Sequence, residues 1–91
     1  MSGGRGATAF EHAMYVYVLR SLEDGKRYVG LSSNVEGRLA QHNRGEVKST
    51  RHRRPFVLKY REVCVSMREA RSREKYFKTA AGRRYLDKLG A

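Results

Sequence analysis

MYVYVLRSLEDGKRYVGL, residues 14–31, decides how the rest of the chain is read. Its first seven residues, Met14 to Arg20, are rich in β-branched and aromatic side chains, the types that suit a pleated, half-buried surface. Alternation places Tyr15, Tyr17 and Leu19 on one face and Val16 and Val18 on the other. Glu23-Asp24-Gly25-Lys26 then supplies a turn, with Asp-Gly the kind of pair that hairpin loops prefer. Arg27 to Leu31 returns as a second, antiparallel strand, which brings Tyr17 and Tyr28 into one neighbourhood. A glycine within a strand often marks close approach of backbone or ligand, so Gly30 draws attention to the same place.

Downstream, Ser33-Asn34-Val35-Glu36 has the Ser-x-x-Glu form of a capping box and predicts a helix to about Asn43, stopped by Gly45. Val35 and Leu39, one turn apart, should face the core, with Arg38 and His42 on the flank of that stripe. Gly37 conflicts with this helix by about 1 kcal/mol relative to alanine. Residues 44–55 (RGEVKSTRHRRP) form a polar, basic loop closed by Pro55, and Phe56 to Val65 reads as a third strand. A second capping box, Ser66-Met67-Arg68-Glu69, opens a helix running to about Lys78 or Ala80. Gly82 is expected to break it, leaving Arg83 to Leu89 as a short terminal helix. Upstream, residues 1–13 are Gly- and Ala-rich without periodicity and read as a flexible tail, which leaves one domain over residues 14–89. The expected fold is α/β of the α+β kind: a small three-stranded, mainly antiparallel sheet flanked by helices.

Composition narrows the function. Ninety-one residues make one domain. Twenty Lys and Arg against nine Asp and Glu give a net charge of +11 and an isoelectric point near 10.4. Such a field attracts polyanions, and nucleic acid leads because Lys and Arg release its condensed counterions. The excess is concentrated between Arg44 and Arg61, so Arg44, Lys48, Arg51, Arg53 and Arg54 are the candidate nucleic-acid contacts. No apolar run approaches the roughly 20 residues that span a bilayer, and a soluble, cytoplasmic protein with no membrane partner is expected. Cys64, the only cysteine, lies in an apolar strand and reads as a small buried hydrophobe. The histidines and Cys64 match no zinc-finger spacing.

The second helix carries one chemical anomaly. At 100° per residue, Met67, Ala70, Glu74, Phe77 and Ala81 share a stripe, four apolar and one a carboxylate. Burying an unpaired carboxylate costs several kcal/mol, so Glu74 needs a cation, a partner or a proton. An ion pair with Arg71 or Lys78 on the same helix would serve as well as a metal. Arg38 offers a planar fork to phosphate oxygens and His42 a proton site near neutrality, although a solvated helix face is the commoner explanation of such a pair. Tyr17 and Tyr28 fit a core with their hydroxyls outward. As bases they need nearby cations to lower a pKa near 10.

Taken in order, Tyr15-Val16-Tyr17, Tyr28-Val29-Gly30, Arg38-Leu39-x-x-His42 and Glu74 resemble the GIY-YIG nuclease superfamily. The likeness runs from Met14 to about Leu89 and is closest to small single-domain bacterial members, which are similar to the nuclease domain of an excision-repair endonuclease. The stretches MYVYVLRS, DGKRYVG, AQHN, KSTRHRRPF and REKYFKTAAGRRYL carry it. The resemblance implies a metal-dependent endonuclease, with DNA a better substrate than RNA and DNA repair its setting. Tyr17 would activate or position the attacking water, and Tyr28 would contact water or phosphate. Arg38 would stabilise charge on the scissile phosphate, and His42 would support a proton relay. Glu74 would hold one Mg²⁺ or Mn²⁺. Target specificity would be weak or supplied by a protein partner. Three departures stand out: Tyr15 replaces the first glycine of the family name, Gly37 replaces a basic or helix-forming residue, and no asparagine follows Asn43. A binding module of the same fold without useful catalysis, and a basic adaptor for another protein, are the competing readings.

Overall fold

A computed structural model describes residues 13–91. The tail read at residues 1–13 therefore lies outside the described residues except for Ala13, which is buried. Strands β1 (Met14–Ser21) and β2 (Arg27–Ser32) form the expected antiparallel hairpin, with Tyr17 opposite Gly30 and Leu19 opposite Tyr28. Directly opposed residues share a face, so the two tyrosines lie diagonally on one side of the ribbon. The loop between them closes with backbone bonds between Ser21 and Gly25 and between Ser21 and Lys26, and Gly25 takes the left-handed conformation the turn needs. Ser21, buried under it, accepts from the Glu23 and Asp24 amides and donates to the Arg53 carbonyl.

Strand β3 (Phe56–Cys64) pairs antiparallel with β1, giving the order β2–β1–β3 and placing the hairpin's return strand at an edge. A register shift at Val18/Leu19 interrupts this pairing. Helix α1 (Val35–Asn43) covers one face, where Tyr17, Leu19, Val35 and Phe56 are buried together with Tyr28, Leu39 and Leu58 against them. Helices α2 (Met67–Phe77) and α3 (Ala80–Leu89) cover the other, over Val16, Val18, Val29, Cys64, Ala70, Phe77 and Leu86. This is the expected three-stranded antiparallel sheet with helices, an α+β fold. Among the described residues no helix is long and apolar enough to cross a membrane.

Local details differ from expectation. The N-cap of α1 is Asn34, not Ser33: its side chain accepts from the Gly37 amide at 3.0 Å. A Cβ on Gly37 would collide with the Asn34 side chain, so the glycine that opposes helix propensity makes room for the cap. Ser66 does cap α2, accepting from Glu69 at 3.1 Å, while Glu69 reaches back to the Val65 amide at 2.8 Å. Helix α2 ends at Phe77 and Thr79 caps α3, so Gly82 breaks nothing. It sits in the first turn of α3, where a Cβ would strike the Tyr76 carbonyl and lie 2.7 Å from the Phe77 Cα. Of the apolar stripe only Ala70 and Phe77 are buried; Met67 is exposed, and Ala81, also exposed, belongs to α3. Chain packing continues past residue 89. The Ala91 amide bonds to Leu86, and its carbonyl accepts from Arg20 at 2.6 Å and Arg27 at 3.1 Å.

Candidate active site

The α1 face of the sheet gathers the aromatic and proton-bearing groups. Alternation along β1 turns Tyr17 inward, and pairing with Gly30 leaves its phenol ring space that any side chain would fill: a Cβ on Gly30 would lie 2.5 Å from the Tyr17 oxygen. Tyr28 lies beside it with ring centroids 6.3 Å apart. His42, two turns along α1 from Val35, is wholly buried between them, its ring 4.8 Å from that of Tyr28 and 5.7 Å from Phe56.

A hydrogen-bonded chain runs through this cluster. The Tyr17 hydroxyl lies 3.0 Å from His42 Nε2, and His42 Nδ1 lies 2.8 Å from Thr50 Oγ1. The Thr50 hydroxyl in turn has the Val47 carbonyl at 3.4 Å. Tyr17, His42 and Thr50 are each at most 1% exposed. Burial, with the Arg38 charge second, pushes the His42 pKa down to about 4. Burial also raises the Tyr17 pKa above its usual value. The Arg38 guanidinium opposes this, while the neighbouring Tyr28 and Glu74 add to it. Arg38 thus acts on Tyr17 in the direction expected of a nearby cation, but desolvation is the larger effect in the chain alone.

Arg38 is held by Gln41, whose Oε1 accepts from Nη1 at 2.9 Å. The pair lines an open cleft of about 320 Å³ along α1 with Ser32, Asn34, Gly37 and Arg44. Glu74 projects from α2, the helix on the opposite face, yet its charge acts on the Tyr17 hydroxyl. Its carboxylate is 28% exposed and pairs with Lys78 Nζ at 3.3 Å, one of the two ion-pair partners considered from the sequence. Among the described residues no three His, Cys, Asp or Glu side chains cluster as a metal site. One hard carboxylate oxygen donor, masked only by a lysine that is itself 57% exposed, fits a divalent ion whose other ligands are phosphate oxygens and water.

The basic loop divides into two kinds of cation. Arg53 is tied down: it pairs with Asp24 at 2.8 Å, donates to the Arg27 carbonyl and covers the Phe56 ring. That contact, as the main cause, holds the Asp24 pKa down to about 2. Arg44 pairs with Glu46 at 2.6 Å, and the Arg54 guanidinium packs over Gly45. Lys48 and Arg51 are exposed and form no ion pair with the described residues. Sequence reasoning missed Thr50 and Gln41. Thr50 is one small polar residue in a run of cations, and nothing local marks it as buried. Cys64 is buried, and that burial raises its thiol pKa, as suits a core residue.

Comparison with known proteins bears on this arrangement. The family model of the GIY-YIG catalytic domain matches residues 13–86. A UPF0213 protein of Staphylococcus haemolyticus is 46% identical over 66 residues, 71% of this chain and 79% of its own length. A UPF0213 protein of Bacillus licheniformis is 48% identical over 65 residues, 70% of this chain and 66% of its own. One from Bacillus pumilus is 43% identical over 70 residues, 76% of this chain and 70% of its own. No solved structure gives a significant match.

Proposed function

Because the chain belongs to the GIY-YIG catalytic-domain family, we propose that it is a metal-dependent nuclease, a cytoplasmic endonuclease that cuts DNA with little intrinsic sequence preference. The observation that carries this reading is the buried chain Tyr17–His42–Thr50, with Arg38 one turn from His42 on the same helix. It supports the site assignments Tyr17, Tyr28, Arg38, His42 and Glu74, while Lys48, Arg51 and their basic neighbours Arg44, Arg53 and Arg54 attract the backbone.

In this reading His42 carries its proton on Nδ1 and donates it in a hydrogen bond to the Thr50 hydroxyl, which in turn donates to the Val47 carbonyl. Nε2 then accepts from the Tyr17 hydroxyl, and every group has a partner. A water held by Tyr17 and Tyr28 attacks phosphorus. Its proton goes to the Tyr17 oxygen as the Tyr17 proton moves to His42 Nε2. Arg38, fixed by Gln41, binds the non-bridging oxygens as charge accumulates. The P–O3′ bond breaks, and the leaving oxygen takes a proton from solvent. Glu74 would hold a Mg²⁺ or Mn²⁺ ion in place of its Lys78 contact, and that ion would supply Lewis-acid neutralisation of the phosphate.

Glu74→Gln is expected to lower plasmid nicking in Mg²⁺ or Mn²⁺ by about 100-fold or more while DNA binding survives. Equal nicking by purified wild type and Glu74→Gln would sink the catalytic assignment. One observation favours a second reading, a nucleic-acid-binding module without catalysis: the raised Tyr17 and lowered His42 pKa values make proton transfer along the chain uphill at rest. Salt-sensitive DNA binding by wild type with no nicking under any divalent ion would select it.

A further inference from the structure

On the far side of the β2 edge from the Arg38 cleft, the hairpin end and the α2–α3 corner enclose a second concavity of about 490 Å³. Five of its nine lining residues are cations: Arg20, Lys26, Arg27, Lys78 and Arg83. Two of these are balanced by carboxylates, Arg27 by Asp87 and Lys78 by Glu74. Arg20 and Arg83 donate only to backbone oxygens, of Gly25 and Ala91 and of Lys78 respectively, and share the field of Asp87, which Arg27 already pairs. The Lys26 side chain is exposed and makes no hydrogen bond with the described residues. The floor is apolar, closed by Val29 and Phe77, with half-buried Tyr28 at the rim.

We propose that this concavity is a nucleotide-binding subsite, taking the phosphate of one nucleotide between Lys26 and Arg83 and its sugar and base against the apolar floor. The chemistry is that of an anion joined to a flat, partly apolar body. Five lining cations against the two carboxylates that pair with them select the first, and neither a bare inorganic anion nor an uncharged nucleoside would use the whole surface. Continuity gives the subsite its role, which rests on the nuclease reading above. Tyr28 belongs to the tyrosine cluster and lines this concavity, and Lys78 lines it while pairing with Glu74. A strand drawn across the β2 edge would lie with its scissile phosphate near Arg38 and a flanking nucleotide here. Lys78 released from Glu74 would gain that nucleotide's phosphate as its new partner.

The test uses thymidine 5′-monophosphate, thymidine and inorganic phosphate as probes, titrated separately into ¹⁵N-labelled full-length chain without divalent ions. The monophosphate should shift the amides of Gly25, Lys26, Val29 and Lys78 and bind at least about tenfold more tightly than either other probe, a difference of roughly 1.4 kcal/mol. Lys26→Glu should weaken it at least about fivefold. Arg83→Ser should do the same, and because Arg83 also donates across the helix junction, Lys26→Glu with unchanged thermal stability is the deciding variant. Shifts centred on Arg38 to Arg44, equal binding of phosphate alone, or indifference to Lys26→Glu would each overturn the subsite. Binding here requires no cleavage, so an active nuclease with no monophosphate site refutes the subsite alone, and a binder that never cuts refutes only the nuclease reading.

Discussion

His42 concentrates the residue-scale physics of this protein. It is an imidazole with no solvent exposure, held at both nitrogens, whose pKa of about 4 lies below the 6.5 usual for histidine. Below pH 6.5 the unfolded chain therefore binds a proton that the native state refuses. The stability that His42 contributes is complete above that pH and is lost as pH falls toward 4, up to roughly 3 kcal/mol. Thermal melts between pH 7 and 4.5 should show this loss in wild type and a much flatter response in His42→Gln. Equal slopes would mean that the native state accommodates the charged ring. Asp24, with a folded value of about 2, acts in the same direction at lower pH: its stabilisation is present above the usual 3.8 and declines only below it, outside this window. The sequence placed His42 one turn from Arg38 but could not tell a solvated face from a buried one. That difference depends on Phe56, Thr50 and the hairpin tyrosines, which arrive from other elements up to 25 residues away in the chain.

At the scale of elements, glycines set how closely segments approach. Gly82 lies against the Tyr76 and Phe77 backbone, so α2 and α3 meet without a side chain between them. Gly82→Ala should destabilise the fold by about 2–4 kcal/mol, because the obstacle is backbone and cannot rotate away. A urea midpoint unchanged from wild type would refute this contact. From sequence, Gly82 reads as a helix breaker, since a glycine late in a periodic run usually ends one. Helix α2 stops earlier, at its C-cap Lys78, and Thr79 starts α3, its hydroxyl accepting from the Gly82 amide at 3.1 Å. Gly37 teaches the same lesson: propensity registers its unfavourable side, and only the position of Asn34 reveals what its missing Cβ permits.

For the whole molecule, the net charge of +11 is less informative than which cations are already engaged. Arg53 joins the basic loop to the hairpin turn through Asp24 and the Arg27 carbonyl, while Lys48 and Arg51 face outward. Lys48→Ala and Arg51→Ala should each weaken DNA binding uniformly across sequences and lower the log–log salt slope by about 1. Arg53→Ala should instead lower the melting temperature and leave that slope nearly unchanged. Fluorescence anisotropy across a salt series distinguishes the two classes, and a larger slope change for Arg53→Ala than for Lys48→Ala would reverse the division.

Local pattern was enough to determine the hairpin, the first two helices, the third strand and the ordered motifs that place the chain in its family, because alternation, turn chemistry and caps act over a few residues. It also bounded Glu74 to an ion pair or a metal, and named Lys78 as one candidate partner. Tertiary structure alone decided that Tyr17, His42 and Thr50 form one buried hydrogen-bonded chain, and that desolvation outweighs Arg38 at the Tyr17 hydroxyl. It alone opened a basic concavity between the hairpin and the α2–α3 corner. Those are consequences of which surfaces exclude water together, and burial is a property of distant segments meeting rather than of any one stretch of chain.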